Sequence, residues 1–103
     1  MTETEIQKSI VDYLKTIGIT AWRQNSGKTK YNVYMAPAGT PDIIGYFPNG
    51  KFLGIEVKQP KGKLSNKQKE WHEKAEKSGC VILTAYSLSG VVDYITKELG
   101  GIE

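Results

Sequence analysis

The stretch Pro41–Lys58, PDIIGYFPNGKFLGIEVK, decides the fold. DIIGYF (42–47) and KFLGIEVK (51–58) read as two strands joined by a tight turn. The length of that turn sets the register. A two-residue Asn49-Gly50 turn pairs Pro48 with Lys51 and leaves Asp42 opposite Val57, on the other face from Glu56. A three-residue loop instead uses Pro48 and Asn49 as a type I turn, with Gly50 left-handed in a bulge. Proline suits the first central position and glycine the left-handed one, so turn chemistry favours the longer loop. Phe47 then pairs with Lys51, and Asp42 stands opposite Glu56. Side chains alternate along a strand, so Lys58 shares that face while Ile55 and Val57 point into apolar packing.

Two carboxylates gathered on one sheet face repel and raise each other's pKa. A divalent cation removes the conflict, and oxygen ligands with open positions for water and phosphate suit Mg2+ or Mn2+. A neighbouring lysine neutralises charge developing in a transition state, or orients an attacking water. Asp42, Glu56 and Lys58 are therefore candidate catalytic residues for phosphodiester hydrolysis, with Asp42 and Glu56 as metal ligands. The competing reading is three exposed strand residues in cross-strand ion pairs.

Upstream, Ile6, Ile10, Tyr13, Leu14 and Ile17 recur at helical spacing and predict a helix from about Thr4 to Ile17, stopped by Gly18. ITAWRQN (19–25) reads as a strand. Residues 26–41, with Gly27, Pro37, Gly39 and Pro41, read as a loop with room for a short strand at YNVYM. Downstream, Pro60 and Gly62 break the chain. A second helix is expected from Ser65 to Ser78, ended by Gly79, then a buried strand CVILTAY (80–86). A third helix, capped by Ser87 or Ser89, reaches Leu99 before Gly100 and Gly101. The order α-β-β-β-α-β-α describes an α/β fold with a mixed β-sheet flanked by helices.

A chain of 103 residues is enough for one domain, 1–103, with one modest core. No stretch is long and apolar enough to span a bilayer, and MTETEIQKS lacks the basic and apolar regions of a signal peptide. These features lead to the expectation of a cytoplasmic protein with no membrane partner. Cys80 is the only cysteine and His72 the only histidine. Together they exclude an intrachain disulfide and a zinc site built from His and Cys. A Ser-His-Asp triad is excluded too, unless His72 serves it. The net charge is +3, and Lys58, Lys61, Lys63, Lys67 and Lys69 fall within twelve residues. Such clustering suggests a polyanion partner; a solvated lysine-rich loop is the plainer alternative.

Pro41-Asp42, followed after a short hairpin by Glu56-Val57-Lys58, resembles the PD…ExK signature of the restriction-endonuclease-like superfamily. The longer stretch AGTPDIIGYFPNGKFLGIEVKQPKGKLSNKQKEW resembles its VRR-Nuc branch, and the likeness runs from Glu3 to about Tyr86. The Val-Arg-Arg triplet of that branch is absent; Ile43-Ile44-Gly45 follow Asp42. The resemblance implies a restriction-endonuclease-like core and a metal-dependent DNA endonuclease using Mg2+ or Mn2+. The branch includes small stand-alone phage and bacterial nucleases, and the resemblance also implies a preference for flaps or four-way (Holliday) junctions and no small-molecule cofactor. The main-chain carbonyl of Val57 joins the metal ligands, and the site gains an acid from the first helix and a glutamine from the second. Glu3 lies on the core-facing stripe with Ile6 and Ile10, whereas Glu5 falls in line with Ser9, Asp12 and Thr16, so Glu3 takes the first role. Its alternative is a favourable acid beside a helix N-terminus. Gln68 shares an inward stripe with Leu64, Trp71 and Ala75 and takes the second role; its alternative is the capping box Ser65-Asn66-Lys67-Gln68.

Further candidates for nucleic-acid contact are Lys61 and Lys63, with Asn25, Ser26 and Lys28 after the first strand. Lys30, Tyr31 and Tyr34 add basic and aromatic groups. Trp71 reads as core, His72 as a surface residue, Cys80 as a small core residue, and the face of Trp22 is undetermined. A chain this small has little surface with which to grip a duplex. A homodimer is therefore expected, with the third helix and the loop around Tyr31 and Tyr34 as candidate contacts. Two rival readings are a non-catalytic nucleic-acid-binding module and an interaction protein whose acids are only surface pairs.

Overall fold

The computed structural model describes residues 1–24 and 36–98. Seven elements follow in chain order: α1 (Glu3–Thr16), β1 (Thr20–Arg23), β2 (Ile43–Tyr46), β3 (Phe52–Val57), α2 (Asn66–Lys77), β4 (Val81–Ala85) and α3 (Leu88–Glu98). The four strands form one mixed sheet in the order β1-β2-β3-β4. The first three are antiparallel neighbours, and β4 returns parallel to β3. Parallel neighbours need a long crossover, and α2 supplies it. The expected element order stands; the YNVYM strand lies outside the described residues.

Local sequence sets the helix ends. Thr2 caps α1: its Oγ1 accepts from the Glu5 N–H, and the Glu5 carboxylate accepts in turn from the Thr2 N–H. Ser65 and Gln68 repeat this reciprocal cap on α2. Ser87 caps α3, its Oγ accepting from Gly90 N–H at 3.2 Å. At the β2–β3 turn, Gly50 adopts φ 88°. Its N–H reaches the Phe47 carbonyl at 2.8 Å, and Phe47 N–H reaches Lys51 at 2.9 Å. Three residues, Pro48 to Gly50, make the loop.

The two faces of the sheet differ. Ile43, Leu53, Ile55 and Val57 project from one face and are fully buried with Ile6, Ile10 and Leu14 of α1 and Val91 and Ile95 of α3. Each such side chain contributes roughly 1.5–3 kcal/mol by leaving water. α2 packs on the other face, where Trp71 meets Phe52 with ring centroids 6.2 Å apart. Among the described residues only part of that face is covered. β4 is an edge strand and is half-buried over Val81–Thr84, not the buried strand its apolar run predicts. A continuous apolar run marks a strand with neighbours on every side, and among the described residues β4 has none at its outer edge. In α3, Val91 and Ile95 are buried and Leu88 and Tyr94 pack against the core, while Ser89, Asp93, Thr96 and Lys97 are exposed.

Candidate active site

β2 and β3 pair Ile43 with Ile55 and Tyr46 with Phe52. One step further, the same register sets Asp42 opposite Glu56. The Asp42 Oδ2 accepts the Val57 N–H at 2.9 Å, which fixes the aspartate at the mouth of the hairpin. Glu56 is only 2% exposed. Its Oε1 is buried and has no hydrogen-bond partner among the described residues. Burial pushes the Glu56 carboxyl up to about 9; the adjoining Asp42 adds to the shift through contact and charge, and Glu3 adds a little. Lys58 pulls the other way. A buried carboxyl with an orphaned oxygen beside a second carboxylate is costly, and a hard cation is the group that would satisfy both.

The β2–β3 pairing ends at Ile43 and Ile55, and the chain bends at Asp42. The Val57 N–H, beyond the last paired rung, is taken up by the Asp42 side chain. Pro41 is fully buried and packs over Gly54, where an added Cβ would meet the proline ring at 3.0 Å.

Lys58 follows β3 and is half-buried; its N–H donates to the Ala85 carbonyl at 2.9 Å, extending the β3–β4 pairing. The turn at 59–62 closes behind it, with Gly62 N–H on the Gln59 carbonyl at 2.7 Å. The Gln59 amide also reaches the Met1 carbonyl at 3.5 Å, so the start of α1 is held against the end of β3. This brings Glu3, half-buried on the first turn, within electrostatic reach of Glu56. Glu5 is exposed and spent on the Thr2 cap. Among the described residues no three acids, histidines or cysteines stand close enough to hold a metal alone. Glu3 is therefore a neighbour of the carboxylate pair, not a third member.

A family model described as the VRR-NUC domain matches residues 2–87. The chain belongs to the VRR-NUC family. The family is a PD-(D/E)xK-like nuclease. A solved structure described as a "VRR_NUC domain" superposes with a TM-score of 0.74 at 23% identity, covering 92% of this chain and 95% of the other. A second, a "VRR_NUC domain protein", gives a TM-score of 0.64 at 21% identity over 100% of this chain and 93% of the other. No curated protein gives a significant match. The VRR-NUC match stops just before α3, whose role in this chain is to close the core.

Other residues of the VRR-NUC domain sit at varying distance from the acids. Gln68 is half-buried at the start of α2, and its Oε1 is committed to the Ser65 N–H at 2.8 Å. The capping explanation is thus realised, which leaves the amide nitrogen as the group available to a ligand. The neighbouring Lys67 carbonyl lies against Gly39, so the loop entering Asp42 is keyed onto the α2 N-terminus. Lys61 and Lys63 are exposed beyond the Lys58 turn. Asn25, Ser26, Lys28, Lys30, Tyr31 and Tyr34 lie outside the described residues.

His72 corrects the surface reading. It is 7% exposed and is the one buried residue of α2. Its Nε2 has no partner among the described residues. Burial lowers its pKa; Glu76 opposes this and the Lys58 charge reinforces it, which places the ring near the site. The inward stripe of α2 is wider than Gln68, Trp71 and Ala75 suggest. His72 follows Gln68 by one full i+4 step, the spacing that widens a buried helix face, and that was the available signal.

Proposed function

We propose that the chain is a metal-dependent endonuclease that hydrolyses DNA phosphodiester bonds, with Mg2+ or Mn2+ as its cofactor. The supporting observation is the pairing of Asp42 with a buried Glu56 whose Oε1 has no hydrogen-bond partner among the described residues. Asp42, Glu56 and the Val57 carbonyl would hold the ion, with water completing its shell. When bound, the ion supplies Lewis-acid polarisation of the phosphate and lowers the pKa of a nucleophilic water. Lys58 faces the same side and offers an ammonium to the charge that grows on the phosphate oxygens. Glu3 adds negative field that favours a bound cation. Gln68 offers its amide N–H groups to a water or phosphate oxygen. Lys61 and Lys63 neutralise the backbone of the bound strand.

All three side chains of the motif are present, which separates this reading from a binding-only module. Selectivity for flaps or four-way junctions, cytoplasmic location and action as a homodimer belong to the same proposal. No helix among the described residues is long and apolar enough to cross a membrane. The test is cleavage of labelled linear, flapped and four-way-junction DNA in Mg2+, Mn2+ or chelator. Metal-dependent internal cuts are expected. Cleavage that persists in chelator, or none on any substrate with either metal, overturns the assignment. Sedimentation with and without DNA tests the dimer.

A further inference from the structure

Among the described residues, the face that carries the acids is covered on one half only. Trp71 of α2 lies over Phe52, and Pro41 lies over Gly54, so the β3–β4 half is roofed. No described element lies over the β1–β2 half. Trp22 there is 45% exposed and Tyr46 47% exposed. Trp22 pairs with Ile44, and Tyr46 pairs with Thr20 and Phe52. By strand alternation both rings therefore project from the face of Asp42 and Glu56.

Their spacing is regular. Asp42, Ile44 and Tyr46 are successive same-face positions of one strand, about 7 Å apart. The Asp42–Glu56 row is followed by the Trp22–Ile44 row, and that by the Tyr46 row. This step is close to that of successive nucleotides in an extended single strand. Trp22 is also tied towards the acids: its Nε1 donates to the Gln24 Oε1 at 3.3 Å, and Gln24 N–H donates to the Asp42 carbonyl at 2.7 Å.

We propose that Trp22 and Tyr46 form a stacking platform for unpaired nucleobases beside the scissile phosphate. The substrate strand next to the cut is then single, or is splayed from its complement on binding. This rests on the nuclease reading above. Every base has a π-face, so such a platform tolerates any sequence. A second copy of the chain is a poorer occupant. Two half-exposed aromatic rings offer on the order of 200 Å², against roughly 800 Å² per partner in a stable interface.

The test uses the full chain in chelator, so that binding is read without cleavage. The probes are a flapped duplex, a blunt duplex and a short oligothymidylate. Trp22→Ala and Tyr46→Ala each raise Kd for the flapped duplex about ten-fold and change the blunt duplex little. Trp22→Phe and Tyr46→Phe, which keep a ring, restore most of the affinity, and thermal melts verify folding. In Trp71→Phe, Trp22 is the remaining tryptophan, and oligothymidylate quenches its fluorescence. Wild-type affinity of both alanine variants for the flap, with wild-type cleavage intact, overturns the platform and spares the nuclease. Quenching by oligothymidylate without cleavage in any metal does the reverse. Loss of self-association by Trp22→Ala in the absence of DNA would show a protein contact at this patch and also overturns the platform.

Discussion

Asp42 stands across one rung of the hairpin from Glu56, and burial, reinforced by this contact, pushes the glutamate carboxyl up to about 9. A raised acid makes stability depend on pH in a definite direction. The folded state keeps a proton that the unfolded chain loses near 4.5. Stability from this group is full below that value and drains away as pH rises towards 9. In chelator, the melting temperature of the wild type should therefore fall across this window, and Glu56→Gln should flatten the slope. Binding of Mn2+ should release a proton, so its affinity should rise with pH over the same range. Calorimetry in buffers of different ionisation enthalpy reads that release directly. A metal affinity independent of pH would contradict the assignment of Glu56 as a ligand.

The three motif side chains should separate by role. Asp42→Asn and Glu56→Gln should each abolish cleavage and weaken Mn2+ binding by at least ten-fold, with circular dichroism unchanged. Lys58→Ala should abolish cleavage while leaving metal affinity within about two-fold, because an ammonium supplies charge and no lone pair. Neutralising either acid should also tighten DNA binding in chelator, since repulsion from phosphate is removed. A folded Asp42→Asn or Lys58→Ala variant that cuts at the wild-type rate would refute the site.

His72 titrates in the opposite sense from Glu56. Its lowered pKa means that the unfolded chain takes up a proton before the folded one does. This contribution to stability is present above 6.5 and is lost as pH falls through the depressed value. His72→Leu removes both the titration and a buried nitrogen without a partner. We expect a gain of about 1–2 kcal/mol in urea unfolding near neutral pH, and a smaller loss of stability between neutral pH and pH 5. A destabilised His72→Leu protein would mean that Nε2 has a partner in solution.

How the chain folds around the hairpin was legible because the signals there are local. Pro48, Asn49 and Gly50 encode one turn type, and that turn fixes which residues of β2 and β3 face each other. The helix cap at Ser65 was legible for the same reason; that of α3 was legible only as Ser87 or Ser89, and the bond from Gly90 N–H decides for Ser87. His72 and β4 were not, because their environments depend on non-local packing. His72 is buried where α2 packs on the sheet, and β4 is half-buried because among the described residues no strand lies beyond it. The face of Trp22 needed the β1–β2 register, and β1 has no tight turn to encode that pairing.

Two glycines with the same backbone sign should respond unequally to alanine. Gly50 has φ 88° with open space around its missing Cβ. Gly39 has φ 90°, and an added Cβ would lie 2.3 Å from the Lys67 carbonyl oxygen. Gly50→Ala carries only the left-handed backbone penalty, about 1 kcal/mol. Gly39→Ala adds a clash with backbone that cannot move without displacing the α2 N-terminus. It should cost about 3 kcal/mol or more, and it should reduce cleavage by shifting Asp42. Equal melting temperatures for the two variants would show that the loop is not keyed to α2.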